Sequence, residues 1–164
     1  MPTNWYMYLA AALIPMLVGS IYYGPLFGKA WMKSNGFTEE SLKGANMAVI
    51  FGVSFVLSCF LAMFIGLFTI HQSMIPGLFM DSSPAEIDEM KAFVNKYSEV
   101  HRTWSHGMVH GILGAFMVAL PLIGINALFE RRGWTYIGIH FGYWLITFAL
   151  MGALLCATLT YPAL

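Results

Sequence analysis

Residues 44–80 read GANMAVIFGVSFVLSCFLAMFIGLFTIHQSMIPGLFM, 37 residues without a single Asp, Glu, Lys or Arg. Crossing the hydrocarbon core of a bilayer takes roughly 20 predominantly apolar residues, so this stretch can span a membrane. It is one of four such runs. The others, 1–28, 103–129 and 133–164, contain 28, 27 and 32 residues. The eight basic and eight acidic side chains are confined to 29–43, 81–102 and 130–132. Charged residues make up 10% of the chain and apolar ones 59%, where a soluble domain has about 25% and about 45–50%. The arithmetic specifies an all-α membrane protein, a four-transmembrane-helix bundle forming one domain over 1–164. It excludes a soluble enzyme, a nucleic-acid binder and a secreted disulfide scaffold.

The expected spans are 5–26, 46–70, 106–129 and 135–159. No Lys or Arg precedes Lys29, and the apolar stretch from Trp5 to Leu26 is too long for a signal-peptide core, so the first run reads as a retained span. Cys59 and Cys156 fall inside spans, where thiols behave as small core hydrophobes. Lys29, Lys33, Lys43, Arg131 and Arg132 lie in the first and third loops, and Lys91, Lys96 and Arg102 in the second. Five against three places loops one and three in the cytoplasm and both termini outside.

Thr38 before Glu39 and Glu40 reads as a helix N-cap, with Phe37 and Leu42 at the positions of a hydrophobic staple, so the second span is expected to begin as a helix near residue 39. In the second, outer loop, Ser83, Pro84 and Glu86 form a capping box with proline at the first helical position. Ile87, Met90, Val94, Tyr97, His101 and Trp104 follow on one helical face. The expectation is an additional amphipathic helix over 84–104, either lying on the outer leaflet or rigidly extending the third span.

Helices in lipid associate through close backbone approach and polar contacts. Small residues recur every four positions: Ser54, Ser58, Ala62 and Gly66; Gly107 and Gly111, then Ala115 and Ala119; Gly138 and Gly142, then Ala149, Ala153 and Ala157. Pro15 and Pro121 are expected to kink their spans. The rows either close the bundle or leave one for a partner.

Few titratable groups lie in the spans, and histidine is the exception. His71 ends the second span, and His106 and His110, four apart, share one helix face at the same end, as two imidazoles on one metal require. His71, His106 and His110 are therefore candidate ligands for zinc, or one of them for haem. Arg102 and Glu99 continue the face, and Asp81 can fold back toward it. His140 lies on the order of 20 Å away along the membrane normal. With Asn126 it is expected to form an intramembrane polar pair fixing the register of spans three and four, and a proton-linked role is its functional alternative. Nothing in the sequence reads as a phosphate loop, nucleophile triad or paired catalytic carboxylates.

The segment Tyr22-Tyr23-Gly24-Pro25-Leu26-Phe27-Gly28-Lys29-Ala30-Trp31-Met32 resembles the signature of a bacterial integral-membrane family, "domain of unknown function seventeen-sixty-one". His110-Gly111 through Pro121, Asn126-Ala127-Leu128-Phe129-Glu130-Arg131, Tyr143-Trp144 and Met151-Gly152 are similar to its C-terminal pattern. The resemblance implies a small four-span protein of the bacterial cytoplasmic membrane and supplies no activity. Gly24, Pro25, Lys29, Trp31, Glu130 and Arg131 read as a structural cluster, with a Glu130–Lys29 clamp joining loops one and three. Three functions follow: an accessory subunit or homo-oligomer, whose partners are the lipid bilayer and itself or another membrane protein; a metal or haem protein using the outer histidines; and a small oligomeric transporter or channel.

Overall fold

The computed structural model describes residues 2–164, and among them every regular element is helical. Helix α1 (Tyr6–Ile21) runs into a π turn at Tyr22–Leu26 and is followed by the short α2 (Gly28–Asn35). Helix α3 (Met47–Thr69) leads into a 3₁₀ stretch, His71–Phe79, and the loop helix α4 (Pro84–Lys96). Helices α5 (Trp104–Gly114) and α6 (Leu120–Phe129) are joined by a π turn at Ala115–Ala119, and α7 (Trp134–Thr158) closes the bundle. Four of the resulting rods, Tyr6–Leu26, Met47–Thr69, Trp104–Phe129 and Trp134–Thr158, are long and apolar enough to cross a membrane. Their bounds lie within two residues of the expected spans.

Two helix boundaries differ from expectation. The Thr38 cap forms, with its hydroxyl accepting from the Ser41 N–H at 3.2 Å and the Ser41 hydroxyl accepting from the Thr38 N–H at 2.9 Å. No helix grows from it. Residues 36–46 are exposed, so the turn has no packed face to offset the cost of nucleation. Gly44 then takes a left-handed φ of +86°, and Asn46 starts α3 afresh by accepting from the Val49 N–H.

Helix α4 has the expected Ser83–Glu86 capping box, and the Ser83 hydrogen bonds hold the Glu86 carboxyl below its usual pKa. It ends at Lys96 rather than 104. His101 adopts a φ of +61°, and Thr103 caps α5, so the loop helix is not a rigid extension of the third span. Its Met90 and Val94 are buried, and it packs against the 3₁₀ stretch.

Proline acts through the π turns. Pro121 brings no N–H and its ring crowds the carbonyl four residues back, and the chain widens over Ala115–Ala119 just before it. Pro25 sits inside the other π turn, where Gly24 leaves helical geometry. At Pro15, α1 continues without a break, and the Pro15 carbonyl accepts from the Tyr143 hydroxyl at 2.9 Å.

The tightest packing is α5 on α7. A Cβ added to Gly107 would overlap the Gly152 carbonyl oxygen, one added to Gly111 would overlap the Phe148 carbonyl oxygen, and one added to Gly152 would overlap the Gly107 carbonyl oxygen. Two backbones touch here without side chains between them, the approach that substitutes for a hydrophobic driving force in lipid. The α7 surface used is Phe148, Gly152 and Cys156, one residue off the expected alanine row. Elsewhere Gly66 receives the Tyr8 ring and Gly142 the Tyr22 hydroxyl.

Alanine at Gly107 or Gly111 should destabilise the protein by about 1–3 kcal/mol, the usual range for overpacking. Gly138→Ala, which meets nothing within 4 Å, should stay within about 0.5 kcal/mol of wild type. Unfolding in mild detergent checks both.

Candidate functional site

Thr69 ends α3 with its hydroxyl donating to the Ile65 carbonyl at 2.9 Å. The buried Ile70 is extended, with φ −112° and ψ 93°, and turns His71 toward the start of α5. There His106 and His110 lie one turn apart. The His71 ring centroid is 5.3 Å from that of His106 and 4.7 Å from that of His110, and the latter two are 4.4 Å apart. One nitrogen from each of the three imidazoles lies within 4.8 Å of the others. His71 is exposed and the other two half-buried. His101 stacks on His106 at 5.0 Å, making four imidazoles at this end.

In a tetrahedral zinc site, metal–nitrogen bonds of about 2.0–2.1 Å put neighbouring donors about 3.4 Å apart. The widest gap between these donors thus exceeds the tetrahedral spacing by no more than about 1.4 Å. His106 Nε2 is buried with no hydrogen-bond partner, and an orphaned imidazole nitrogen among two others is a donor set suited to a transition metal.

The support around the cluster differs from expectation. Arg102 does not continue the histidine face. Its guanidinium donates to the carbonyl of Cys156 at 2.7 Å and to that of Leu159, satisfying the carbonyl end of α7 where a cation is favoured. Neither Asp81 nor Glu99 joins the gathered donors. The Gln72 amide donates to the carbonyls of Tyr97 and Val100, both at 2.9 Å, and so ties the residue after His71 to the loop before His101. Both chain ends reach this end of the bundle. Asn4 donates to the Thr158 carbonyl at 2.7 Å and accepts from the Thr160 N–H at 2.9 Å.

At the opposite end, no hydrogen bond joins His140 and Asn126. The π turn at the end of α1 brings Tyr23 within reach first, and its hydroxyl is 3.0 Å from His140 Nδ1. Asn126, His140 and Glu130 instead line one cleft of about 270 Å³. The Glu130–Lys29 clamp does not form either. Glu130 faces Arg132 at 3.6 Å. Loops one and three are joined by Arg132 donating to the Asn35 carbonyl at 3.4 Å. Arg131 holds a left-handed φ of +56° at the end of α6. Trp31 packs between Tyr23 and Phe37, at 5.6 and 5.4 Å. The sequence reading missed Tyr23 and Tyr136. Tyr136 was findable, because it precedes His140 by four residues and their rings are 4.3 Å apart. Tyr23 had no local signal.

A family model described as "Protein of unknown function (DUF1761)" matches residues 6–156. The chain belongs to that family. The matched region covers all four histidines at one end of the bundle and the whole cleft at the other. No curated protein and no solved structure matches the chain.

Arg102→Met should lower stability by about 2 kcal/mol, as expected when charge-assisted hydrogen bonds to partly buried carbonyls are lost. Lys29→Met, which removes no ion pair, should change it by less than about 0.5 kcal/mol. Thermal unfolding of both variants is the check.

Proposed function

We propose that the protein is a small metal-binding protein of the bacterial cytoplasmic membrane, holding one transition-metal ion between His71, His106 and His110 on the outer face. The observation that carries this reading is the convergence of three imidazole nitrogens within 4.8 Å, one from the 3₁₀ stretch that follows α3 and two from α5. Three neutral imidazoles with a fourth position open suit Zn²⁺, whose catalytic sites use such a set, or Cu²⁺, which heads the affinity order for such ligands. A haem takes only one or two axial imidazoles, so a cluster of three favours an ion. The chemistry this donor set supports most directly is binding and exchange of an ion through the open coordination position. The exposed His71 gives the ion access from the aqueous side.

Purified in mild detergent and stripped with chelator, the full chain should take up one Zn²⁺ or one Cu²⁺ when each is offered alone. His106→Ala and His110→Ala should each weaken binding on the order of a hundredfold, about one ligand's share of a zinc site. Equal uptake by wild type and the double variant would remove the proposal.

A second reading, as an accessory subunit or homo-oligomer, is favoured by Gly52, Gly124 and Gly138. A Cβ at any of these would meet no atom within 4 Å, so close backbone approach remains open on the outside of the bundle. Native mass spectrometry from the membrane should then give a multiple of the 18.3 kDa chain mass or a mass including another protein. Gly138→Leu should reduce that species. A lone monomer in both samples would count against it.

A further inference from the structure

The cleft between α6 and α7 has a polar end and an apolar continuation. Asn126, Glu130, Tyr136 and His140 form the polar end. Leu122, Ile123 and Trp144 belong both to it and to an adjoining hollow of about 200 Å³ that runs on to Leu61, Val118 and Phe148. The two follow one another along the helices. Asn126, Leu122 and Val118 step by four residues into the membrane on one wall, and His140, Trp144 and Phe148 do so on the other. We propose that this cleft binds a membrane-soluble amphiphile with a neutral ring head carrying hydrogen-bond-accepting oxygens and an apolar tail, the chemistry of an isoprenoid quinone. The head lies against His140 and the tail runs past Trp144 toward Val118 and Phe148.

The first argument is the proton on His140. Its Nδ1 is 3.0 Å from the Tyr23 hydroxyl, and its Nε2 is buried without a partner. If Nδ1 carried the hydrogen, both the Tyr23 proton and the Nε2 lone pair would be left unpaired away from water. If Tyr23 donates, only one group is left, an Nε2–H. A protonated ring also presents an N–H at Nε2. The missing partner is therefore an acceptor.

The second argument is depth and charge. His140 lies six residues inside Trp134, where α7 begins, or about 9 Å along the helix. A charged headgroup drawn that far from water would be desolvated at high cost. The wall contains the Glu130 carboxylate and no Lys or Arg. The nearby Arg132 is engaged by Glu130 and by the Asn35 carbonyl. An anionic phosphate is therefore disfavoured, and a neutral carbonyl-bearing ring is not. The Tyr136 and Trp144 rings supply the flat apolar walls such a head requires.

The test uses the full chain in mild detergent with decylubiquinone as the probe, counting bound molecules by native mass spectrometry across a concentration series. Saturable binding of one molecule per chain is expected. His140→Leu should weaken it roughly fivefold to tenfold, the loss of one hydrogen bond. Leu122→Trp should weaken it at least as much by filling the passage between the two hollows. Leu122 is 60% exposed, so this variant leaves the packed core alone. Binding that does not saturate, or that neither variant changes, would overturn the proposal. Displacement of the probe by one equivalent of phosphatidylglycerol would also overturn it, by assigning the cleft to a charged headgroup.

Discussion

The bundle depends on the contact of two backbones, α5 against α7 at Gly107, Gly111 and Gly152. In lipid an apolar side chain gains little by exchanging acyl chains for another helix, so adhesion requires closeness and paired polar groups. Three glycines allow carbonyl oxygens of one helix to sit where the other would carry Cβ atoms. That crossing fixes the depth of α5 relative to α7, and with it the height of His106 and His110 against the carboxyl end of α7. Helix α3 completes the arrangement by ending at Thr69, whose carbonyl lies 3.7 Å from the Cys156 thiol. The distance from His71 to His106 and His110 is thus set by packing below them rather than by the loop between α3 and α5.

The second constraint is that no backbone polar group can be left bare where water is absent. Buried Thr69 and Thr147 return their hydroxyls to carbonyls four residues back. Pro25 and Pro121 are accommodated at π turns instead of open breaks. At the end of α7, where helical pairing runs out, Arg102 supplies the donors, and this holds the loop carrying His101 onto the bundle. The two ends of the molecule differ in kind. One gathers four imidazoles near Arg102 and the Cys156 thiol, and the other gathers phenols, an amide, a carboxylate and a single imidazole beside an apolar groove.

The spans were legible because the absence of charge over twenty residues has one physical solution in a chain of this composition. The Ser83–Glu86 box was legible because it is local. The pairing of His106 with His110 is helix periodicity, but their approach to His71 is tertiary and was only an inference from a shared end of the bundle. What the sequence did not reveal has a common cause. Tyr23 reaches His140 only because a π turn redirects it, Arg102 leaves its helix face for the carbonyls of another helix, and Glu130 finds Arg132 before Lys29. Each is a choice among several nearby partners made by backbone geometry. The helix expected after Thr38 is absent for a different reason: its cap forms, but no buried surface backs the turn that follows.

The central claim is that one metal ion is held by three imidazoles, His71 just beyond α3 and His106 and His110 on α5. X-ray absorption at the zinc edge on the full chain loaded with one equivalent of Zn²⁺ tests it most directly. The account predicts three nitrogen neighbours at about 2.0 Å with the outer-shell scattering of imidazole rings. An oxygen-only shell, or a spectrum unchanged by His106→Ala, would contradict it.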